Sequence, residues 1–470
     1  MPPRFGTDGI RGVAGLELTA EVALALGRAT ARLVGGSSFL LGRDTRRSGP
    51  MLQAAMAAGL ASEGMDVVDA GVIPTPGVAW LAASRGVGAA MISASHNPFT
   101  DNGIKLFDAT GTKLPSELEA AVQAELGRLL APTATHEAAG LVGVDELGAS
   151  IYGGQSGTGI GSIAVDDVAL EKYAAHLVAT VGRSSAPGFE VVVDCANGAA
   201  SVLAPLVLGR LGISHRVLAA EPDGENINAG CGSTHLEPLQ AEVVAAGAGL
   251  GIALDGDADR MLAVDHTGAV VDGDQLIAMF ALDLAARGRL TNQAVAVTVM
   301  SNLGLRRSLG ARGIRVIETP VGDRNVTDAI AANDLALGGE QSGHFVFREH
   351  GTTGDGLLTA LLLCDLLGRQ GRPLAELAAA SMTSLPQVLR NVTVADPSRL
   401  GVAAGVWEEV GAVEAELGED GRVLLRASGT EPLVRVMVEA ATLSVAIEAA
   451  ERLIGVVERE FGATAAPGRS

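Results

Sequence analysis

Ser95 and His96 open a polar segment, Ser95-His96-Asn97-Pro98, directly after the apolar run 87–92. A serine beside a histidine can act as a nucleophile with its base, although a polar turn in which the serine caps backbone groups is equally compatible. The apolar run suits a buried strand, and the Asn-Pro pair suits a turn after it. Ligands in open α/β sheets bind beyond the carboxyl ends of strands, so we expect the Ser95 hydroxyl to face a crevice.

Three aspartates, Asp255, Asp257 and Asp259, alternate in a loop between the apolar runs 250–254 and 261–264. Their carboxylates can converge on one Mg²⁺, a cation that prefers oxygen ligands and keeps positions open for water or a phosphoryl oxygen. An EF-hand is excluded, because its loop requires Gly at the sixth position and Glu at the twelfth, where this chain has Arg and His. A solvated acidic turn is the alternative.

These two segments together resemble the α-D-phosphohexomutase superfamily. The resemblance implies that Ser95 is a phosphoserine in the active enzyme. It also implies one Mg²⁺ per chain, held by the phosphorylated Ser95 and by the three aspartates. Charge balance agrees, because a phosphoserine carries about −1.5 to −2 charge and would strongly repel three carboxylates without a divalent cation.

The resemblance also implies roles for residues around the serine. Lys105 lies ten residues after Ser95 and is expected near the reacting oxygen, where Lys105 or a neighbour of the serine such as His96 moves the hydroxyl proton. The glycine-spaced opening 5–12 lets the backbone approach a phosphate, and the resemblance places Arg11 beside the phosphoserine. A structural role for Arg11 at the domain edge is the alternative.

Arg260 and the glycine-rich loop 338–344 supply candidate substrate contacts. Arg260 directly follows the aspartates and can reach a phosphate. Glu340 and Ser342 offer the acceptors and the donor that vicinal sugar hydroxyls need, and His344 can donate to a phosphate. The Glu-Gln-Ser-Gly tetrad of this loop resembles the phosphoglucosamine branch of the superfamily, since phosphomannomutase relatives tend to have Met at the Gln position.

A polar segment near the C-terminus resembles the phosphate-binding loop of the family. Backbone N–H groups, two hydroxyls and two guanidinia can together hold a phosphate dianion there. The residues concerned are Arg426, Ser428, Gly429, Thr430 and Arg435. A polar hairpin is the alternative.

The expected fold class is α/β, because a strand, helix and strand pattern recurs three times before the C-terminal region. We expect three similar α/β domains with mixed, βαβ-containing sheets and a smaller C-terminal α+β domain, arranged around a central cleft. The first expected domain, 1–163, contains the phosphoserine loop, and the second, 164–268, contains the metal-binding loop. The third, 269–385, contains the sugar-binding loop, and the fourth, 386–470, contains the phosphate-binding loop. The glycine-rich stretch 153–161 is typical of a linker or mobile loop.

Composition limits the partners and the compartment. A net charge of −20 and a pI near 4.8 oppose binding to nucleic acid or to an anionic membrane surface. The N-terminal segment lacks the apolar stretch expected of a signal peptide, and no apolar run approaches the ~20 residues that span a bilayer. Three cysteines without metal-ligand spacing indicate free thiols in a reducing compartment, so we expect a cytoplasmic monomer or homodimer.

The resemblance implies a phosphosugar substrate and a two-step phosphoryl transfer. Phospho-Ser95 would donate to the 1-hydroxyl of glucosamine 6-phosphate, and the glucosamine 1,6-bisphosphate intermediate, which also serves as activator, would turn round and return its 6-phosphate to the serine. The glucosamine 1-phosphate released would supply UDP-N-acetylglucosamine and cell-wall precursors. A mutase acting on mannose or glucose phosphates is the alternative, and a non-catalytic sugar-phosphate-binding protein is the remote one.

Overall fold

The computed structural model describes residues 4–6, 8–131, 155–182, 188–428 and 432–462. The chain divides into two compact units. The first unit comprises Met1–Met300 and Val316–Ala378, and the second comprises Ser301–Arg315 and Ala379–Ser470.

The first sheet of the first unit has seven strands, which are β1 (Phe5–Gly6), β2 (Gly9–Val13), β3 (Ser38–Arg43), β4 (Asp66–Val72), β5 (Gly88–Ile92), β6 (Asp101–Phe107) and β7 (Ile163–Val165). Their order is β1-β2-β6-β5-β3-β4-β7. The strands β5, β3, β4 and β7 run parallel, whereas β1, β2, β6 and β5 pair antiparallel. The helices of this region are α1 (Ala20–Val34), α2 (Gly49–Ser62), α3 (Thr75–Arg85) and α4 (Ser116–Leu130).

Glycine allows α1 and α2 to pack in close contact. A Cβ on Gly27 of α1 would collide with the carbonyl of Met56, and one on Gly59 of α2 would collide with the carbonyl of Leu24. The two backbones therefore meet directly, and the helices bury their apolar faces against β3 and its neighbours.

The second sheet has five strands, β8 (Val191–Asp194), β9 (His215–Leu218), β10 (Leu250–Leu254), β11 (Met261–Asp265) and β12 (Val270–Val271), in the order β12-β11-β10-β8-β9. Its helices are α5 (Ala169–Val181), α6 (Leu203–Leu211) and α7 (Glu237–Ala246). The strands β10 and β11 form an antiparallel pair whose last partners are Leu254 and Met261. The three aspartates therefore lie in the connection of this pair.

The third sheet has four strands, β13 (Ala294–Thr298), β14 (Arg315–Thr319), β15 (Leu337–Gly339) and β16 (Phe345–Phe347), in the order β14-β13-β15-β16. The helices of this part of the chain are α8 (Gly273–Ala286), α9 (Leu303–Gly310), α10 (Asp323–Asn333), α11 (Gly356–Gln370) and α12 (Leu374–Ser381). Of these, α9 belongs to the second unit, and α12 begins in the first unit and ends in the second.

The second unit is built on an antiparallel sheet of three strands, β17 (Gln387–Thr393), β18 (Arg422–Ala427) and β19 (Leu433–Glu439), in the order β17-β19-β18. The helices α13 (Ala404–Leu417) and α14 (Leu443–Phe461) cover it with a valine-rich core. Glu439 is fully buried; it accepts from Leu303 N–H at the start of α9 and from Arg422. This buried carboxylate ties α9 to the sheet.

The predicted fold class, three α/β domains and a smaller α+β domain, is confirmed by these four sheets and their helices. The chain turns after β8, with left-handed φ angles of 54° at Ala196 and 49° at Asn197, and α6 starts only at Leu203. The four domain boundaries stay a prediction.

The described part of the expected linker is hydrogen-bonded to the end of α2. Gln155 N–H donates to Ser62 O and Gly161 N–H donates to Ala61 O, both at 2.9 Å. The following β7 then pairs with β4. The described part of this glycine-rich stretch is therefore fixed to the end of α2, and residues 153 and 154 lie outside the described residues.

All three cysteines are buried free thiols, as predicted. Burial raises the pKa of Cys231 to about 11 and that of Cys364 to about 12, and it raises the pKa of Cys195 as well. Among the described residues, no helix combines the length and the apolar character needed to cross a bilayer.

Candidate active site

Ser95 follows the carboxyl end of β5 in a loop with an unusual backbone. Its φ is 52°, in the left-handed region that non-glycine residues rarely occupy. Ser95 N–H donates to the hydroxyl of Ser93 at 2.9 Å, and that hydroxyl donates to Asp44 at 2.6 Å. The surrounding bonds thus hold the serine in a conformation that is costly on its own.

Arg46 fastens the serine loop to the end of β3. Its buried guanidinium donates to the carbonyl oxygens of Ser95 and Asn97 at 2.8 Å and to that of Asp101 at 3.1 Å. It also binds Pro98 O and the carboxylate of Asp44. Arg46 was not predicted as a site residue, because its contacts are with a loop about 50 residues away in the sequence.

Asn228, from the region of the second sheet, binds the same loop. Its side-chain amide donates to Ser95 O at 2.9 Å and to Asn97 O at 3.1 Å. A Cβ on Gly256 would approach Ser95 O to 2.6 Å. The serine loop and the aspartate loop therefore touch through their backbones, and a side chain at Gly256 would separate them.

The Ser95 hydroxyl faces the aspartate loop. Its Oγ donates to Asp255 Oδ2 at 2.5 Å and lies 3.3 Å from His96 Nδ1. Burial, followed by the charges of Arg260 and Arg11, lowers the pKa of His96 to about 4. His96 is consequently neutral at neutral pH.

The three aspartates form one buried cluster. Carboxylate oxygens of Asp255, Asp257 and Asp259 all lie within 4.8 Å of one another. Within the described residues, the Oδ1 atoms of Asp257 and Asp259 are buried without a hydrogen-bond donor. Burial, then the charges of Asp259 and Asp257, raises the pKa of Asp255 well above its usual value. Unpaired buried oxygens at this spacing fit a hard divalent cation, which would supply the missing positive charge.

Lys105 lies on β6, in contact with the cluster. Its Nζ is 2.9 Å from Asp257 and 3.2 Å from Asp259. Burial alone would lower the pKa of Lys105, but these carboxylates raise it well above its usual value. The side chain is therefore a charged ammonium, suited to neutralising charge and donating protons rather than to accepting a proton.

Arg11 and Arg260 bring two guanidinia to the same region. Arg11 is paired with Asp8, which the sequence analysis did not single out. The backbone N–H of Arg260 donates to Asp255 Oδ1 at 3.1 Å, and its Nε is 3.8 Å from Asp259. Arg260 thus lies against the acidic cluster, and Arg11 is paired with Asp8, which is 3.3 Å from Lys105.

The glycine-rich loop 338–344, the sugar loop, is hydrogen-bonded to the end of the aspartate loop 255–260. Met261 N–H donates to Gly343 O at 2.8 Å, and Arg260 forms a bridge with His344. The ring of His344 is buried: its Nε2 accepts from Gly354 N–H at 3.1 Å and its Nδ1 lies 3.9 Å from Asp259. The contacts of His344 are therefore with the protein, against the aspartate cluster and Gly354.

Glu340 and Ser342 occur together in this loop. Ser342 Oγ donates to Glu340 Oε2 at 3.3 Å, and Gly322 N–H donates to Glu340 Oε1 at 3.2 Å. The backbone carbonyl of Gln341 accepts from Gly273 N–H at 3.1 Å, at the start of α8. An influence of Gln341 on substrate choice would thus act through the position of the loop.

The predicted phosphate loop lies in the second unit. Arg426 on β18 and Arg435 on β19 are directly opposite each other in the antiparallel register. Ser428 N–H donates to Leu433 O at 2.9 Å, whereas Gly429 and Thr430 lie outside the described residues. Like charges at opposite positions destabilise a strand pair, and an anion bound between them offsets this repulsion.

A serine hydroxyl set against a buried carboxylate cluster, on this succession of sheets, defines the phosphohexomutase class of isomerases. Family models for phosphoglucomutase/phosphomannomutase match the chain over all four domains: alpha/beta/alpha domain I at residues 2–130, domain II at 171–268, domain III at 272–385 and the C-terminal domain at 389–455. The chain belongs to the phosphoglucomutase/phosphomannomutase family, and the predicted relationship to the phosphohexomutases is confirmed.

Curated relatives are similar over nearly the whole chain. A phosphoglucosamine mutase of Frankia casuarinae is 50% identical over 466 residues, covering 96% of this chain and 97% of the relative. A phosphoglucosamine mutase of Desulforudis audaxviator is 47% identical over 466 residues, covering 97% and 98%. These relatives confirm the predicted similarity to the phosphoglucosamine branch.

Solved structures share the fold. A phosphoglucomutase/phosphomannomutase family protein from Burkholderia thailandensis superposes with a TM-score of 0.78 at 25% identity, covering 99% of both chains. The Aspergillus fumigatus N-acetylphosphoglucosamine mutase, solved in complex with GlcNAc-6P and magnesium, has a TM-score of 0.71 at 19% identity, covering 98% of this chain and 96% of that one. At this identity the second likeness shows the fold alone.

Proposed function

We propose that the chain interconverts glucosamine 6-phosphate and glucosamine 1-phosphate. The observation that carries the proposal is the Ser95 hydroxyl, bonded at 2.5 Å to a buried aspartate of a three-carboxylate cluster, in a chain about half identical to phosphoglucosamine mutases. The product would enter the synthesis of UDP-N-acetylglucosamine and cell-wall precursors.

The reaction would proceed in two phosphoryl transfers. In the first, the bond between Ser95 Oγ and phosphorus breaks as the sugar 1-oxygen binds phosphorus; the 1-hydroxyl gives up its proton and Ser95 Oγ takes one up, which gives glucosamine 1,6-bisphosphate and an unphosphorylated serine. In the second, the reoriented bisphosphate passes its 6-phosphoryl group back to Ser95 Oγ. A loose transition state of this kind requires mainly positioning and charge neutralisation.

Asp255, Asp257 and Asp259, together with the Ser95 phosphate, would hold Mg²⁺, which supplies a divalent positive charge when bound. The charged Lys105 would balance the negative charge around the serine and return a proton to a departing oxygen. Neutral His96 would accept the serine hydroxyl proton in a hydrogen bond. Arg11 and Arg260 would bind phosphoryl oxygens, since guanidinium groups pair with them bidentately.

Glu340 and Ser342 would bind the sugar, and Arg426, Ser428 and Arg435 would bind a substrate phosphate. Gly429 and Thr430 complete this proposed phosphate loop by resemblance. His344 would act on the substrate only through the groups that it contacts, because its ring is buried against Asp259 and Gly354.

Turnover of Ser95-phosphorylated protein tests the proposal. Mg²⁺-dependent kcat/KM is measured for glucosamine 6-phosphate, mannose 1-phosphate and glucose 1-phosphate side by side. A preference of orders of magnitude for the amino sugar is expected. A preference for mannose or glucose phosphate would assign the chain to the alternative mutase activity, and binding of all three without turnover would indicate a sugar-phosphate sensor.

A further inference from the structure

Lys113 lies between two carboxylates that come from distant parts of the chain. Its Nζ is 2.6 Å from Asp8 Oδ1 and forms a second ion pair with Asp323. The side chain is only 11% exposed. Removal of a nearly buried ammonium that two carboxylates share costs more free energy than loss of a surface pair, because both carboxylates are left without their cation.

Asp8 connects Lys113 with the reaction centre. Its other oxygen, Oδ2, lies 3.3 Å from Lys105 Nζ and is also paired with Arg11. Burial would raise the pKa of Asp8, but Lys105, Lys113 and Arg11 hold it well below its usual value. Asp8 is therefore an ionised acceptor shared by Lys105 and Lys113.

Asp323 connects Lys113 with the sugar loop. It is the first residue of α10, and the preceding Gly322 donates its N–H to Glu340 Oε1 at 3.2 Å. The next residue, Arg324, binds Glu119 at 2.6 Å. Two ion pairs thus fix the start of α10 to residues 113–119, and the position of Glu340 depends on that start.

From this geometry, and resting on the function proposed above, we propose that Lys113 is a positioning residue that couples Lys105 to the sugar-binding Glu340 through Asp8 and Asp323. Without its charge, Asp323 and Glu340 repel each other at the start of α10, and Asp8 shifts towards Lys105 and Arg11. The sugar loop and Lys105 are then no longer held in position by the same residue.

Substitution of Lys113 by Met tests this coupling. Lys113→Met is expected to raise KM for glucosamine 6-phosphate about tenfold and to lower kcat about tenfold, since small misplacements can cost 10²-fold in rate. Lys113→Arg is expected to restore KM to within about threefold, because it keeps the charge. Lys172→Met serves as the matched control, since that lysine is 52% exposed and touches only Asp166 in the described residues, at 3.5 Å; its parameters are expected to stay unchanged.

A merely structural role predicts a different result. Loss of folded protein lowers kcat through the active fraction but leaves KM unchanged. A KM of Lys113→Met within about twofold of the wild-type value, in folded protein, overturns the proposal. If Lys113→Met does not fold, the isosteric Asp323→Asn takes its place, with the same expected rise in KM and the same overturning result.

Lysine NMR provides a readout that does not depend on turnover. The chain contains only Lys105, Lys113 and Lys172, so lysine labelled with ¹³C at Cε gives one resonance for each. Asp323→Asn, which does not touch Lys105, is expected to shift the Lys105 resonance through Lys113 and Asp8. An unmoved Lys105 resonance overturns the coupling even if the wild-type protein proves inactive on glucosamine phosphates, which would overturn only the proposed function.

Discussion

The guanidinium of Arg46 donates a hydrogen bond of 2.8 Å to the carbonyl oxygen of Ser95, and both groups are buried. Because β3 and β5 are neighbours in the sheet, the turn after β3 lies beside the loop after β5. The left-handed backbone of Ser95 is thus held by a residue from another strand. The position of the serine hydroxyl depends on Arg46 as much as on its own loop.

Replacement of Arg46 by Met is expected to destabilise the protein and to reduce turnover. The substitution leaves Asp44 buried without its cation and removes the donor to several loop carbonyls. Breaking a buried ion pair of this kind costs about 3–5 kcal/mol, and a displaced serine costs about 10²-fold in kcat. Urea unfolding and mutase assays measure the two effects.

Arg47→Met is the matched control for this prediction. Arg47 is the next residue, but its side chain is 77% exposed and pairs with Glu225 at the surface. Exposed pairs contribute about 0–1 kcal/mol, so stability and turnover should stay near the wild-type values. Equal effects of the two substitutions on stability and turnover would show that the buried contacts of Arg46 do not cause them.

Ser95→Ala is expected to abolish mutase turnover, because the hydroxyl that would carry the phosphoryl group is removed. Incubation with glucosamine 1,6-bisphosphate and intact-mass measurement should show one added phosphoryl group in wild-type protein and none in the variant. Ser84→Ala, which removes only a bond to Leu81 O on α3, is the control. Full activity of Ser95→Ala would refute the phosphoserine mechanism.

Mg²⁺ is expected to raise the thermal stability of the wild-type protein. The cation would neutralise the clustered carboxylates in the folded state only, and such a ligand adds about 2.7 kcal/mol at 100 times its Kd. Asp257→Asn should lose most of this gain, because it removes a carboxylate whose Oδ1 has no donor in the described residues. Melting temperatures with Mg²⁺ and with EDTA give the comparison.

Asp265→Asn controls for the loss of a buried charge without loss of the cluster. Asp265 ends β11 and accepts from the backbone of Thr267 and Ala269 in a turn, and Asn can accept the same bonds. Its melting temperature should rise with Mg²⁺ as in the wild type. An unchanged Mg²⁺ response in Asp257→Asn would exclude this aspartate as a ligand.

Asp355 is expected to make stability fall between about pH 4 and pH 6. Burial raises its pKa from 3.8 to about 6 in the folded protein, against the opposing hydrogen bond from Tyr173. The folded state therefore binds the proton more tightly, so the stabilisation is complete below pH 3.8 and is lost as pH rises to 6. The loss is about 3 kcal/mol. Asp355→Asn does not titrate, and the wild-type free energy of unfolding should fall relative to it across this range.

Tyr173→Phe checks the assignment of this pH effect. The tyrosine hydroxyl donates to Asp355, which favours the ionised carboxylate. Without that bond the pKa of Asp355 should rise further, so the stability loss should extend to higher pH. Urea unfolding at several pH values follows the shift, and an identical pH dependence in the wild type and Asp355→Asn would contradict the role of Asp355.

Regular apolar patterns along the chain were sufficient to predict several of the strands. Apolar runs such as 87–92 and 250–254 appear as the buried strands β5 and β10. The strand β6 was not predicted, because Asp101, Asn102 and Gly103 lack strand propensity. They form a strand because β2 and β5 pair with both sides of it.

The candidate site was predictable only in part, because some of its residues are defined by contacts with distant parts of the chain. Residue type identified Ser95 and the aspartates, whose chemistry is apparent from local spacing. Asp8, Arg46 and Lys113 matter through long-range contacts, and a single sequence contains no local signal for them. Lysine scarcity was the one available hint for Lys113, since only three lysines occur in the chain.

The buried cysteines make the protein suitable for fluorescence labelling. Maleimide dyes react with accessible thiolates, whereas the three native thiols are enclosed and their pKa values are raised, to about 11 for Cys231 and about 12 for Cys364. A cysteine introduced at an exposed serine of each compact unit would therefore carry the dye selectively. Single-molecule energy transfer between two such dyes can follow the distance between the labelled positions during turnover, without removal of any native cysteine.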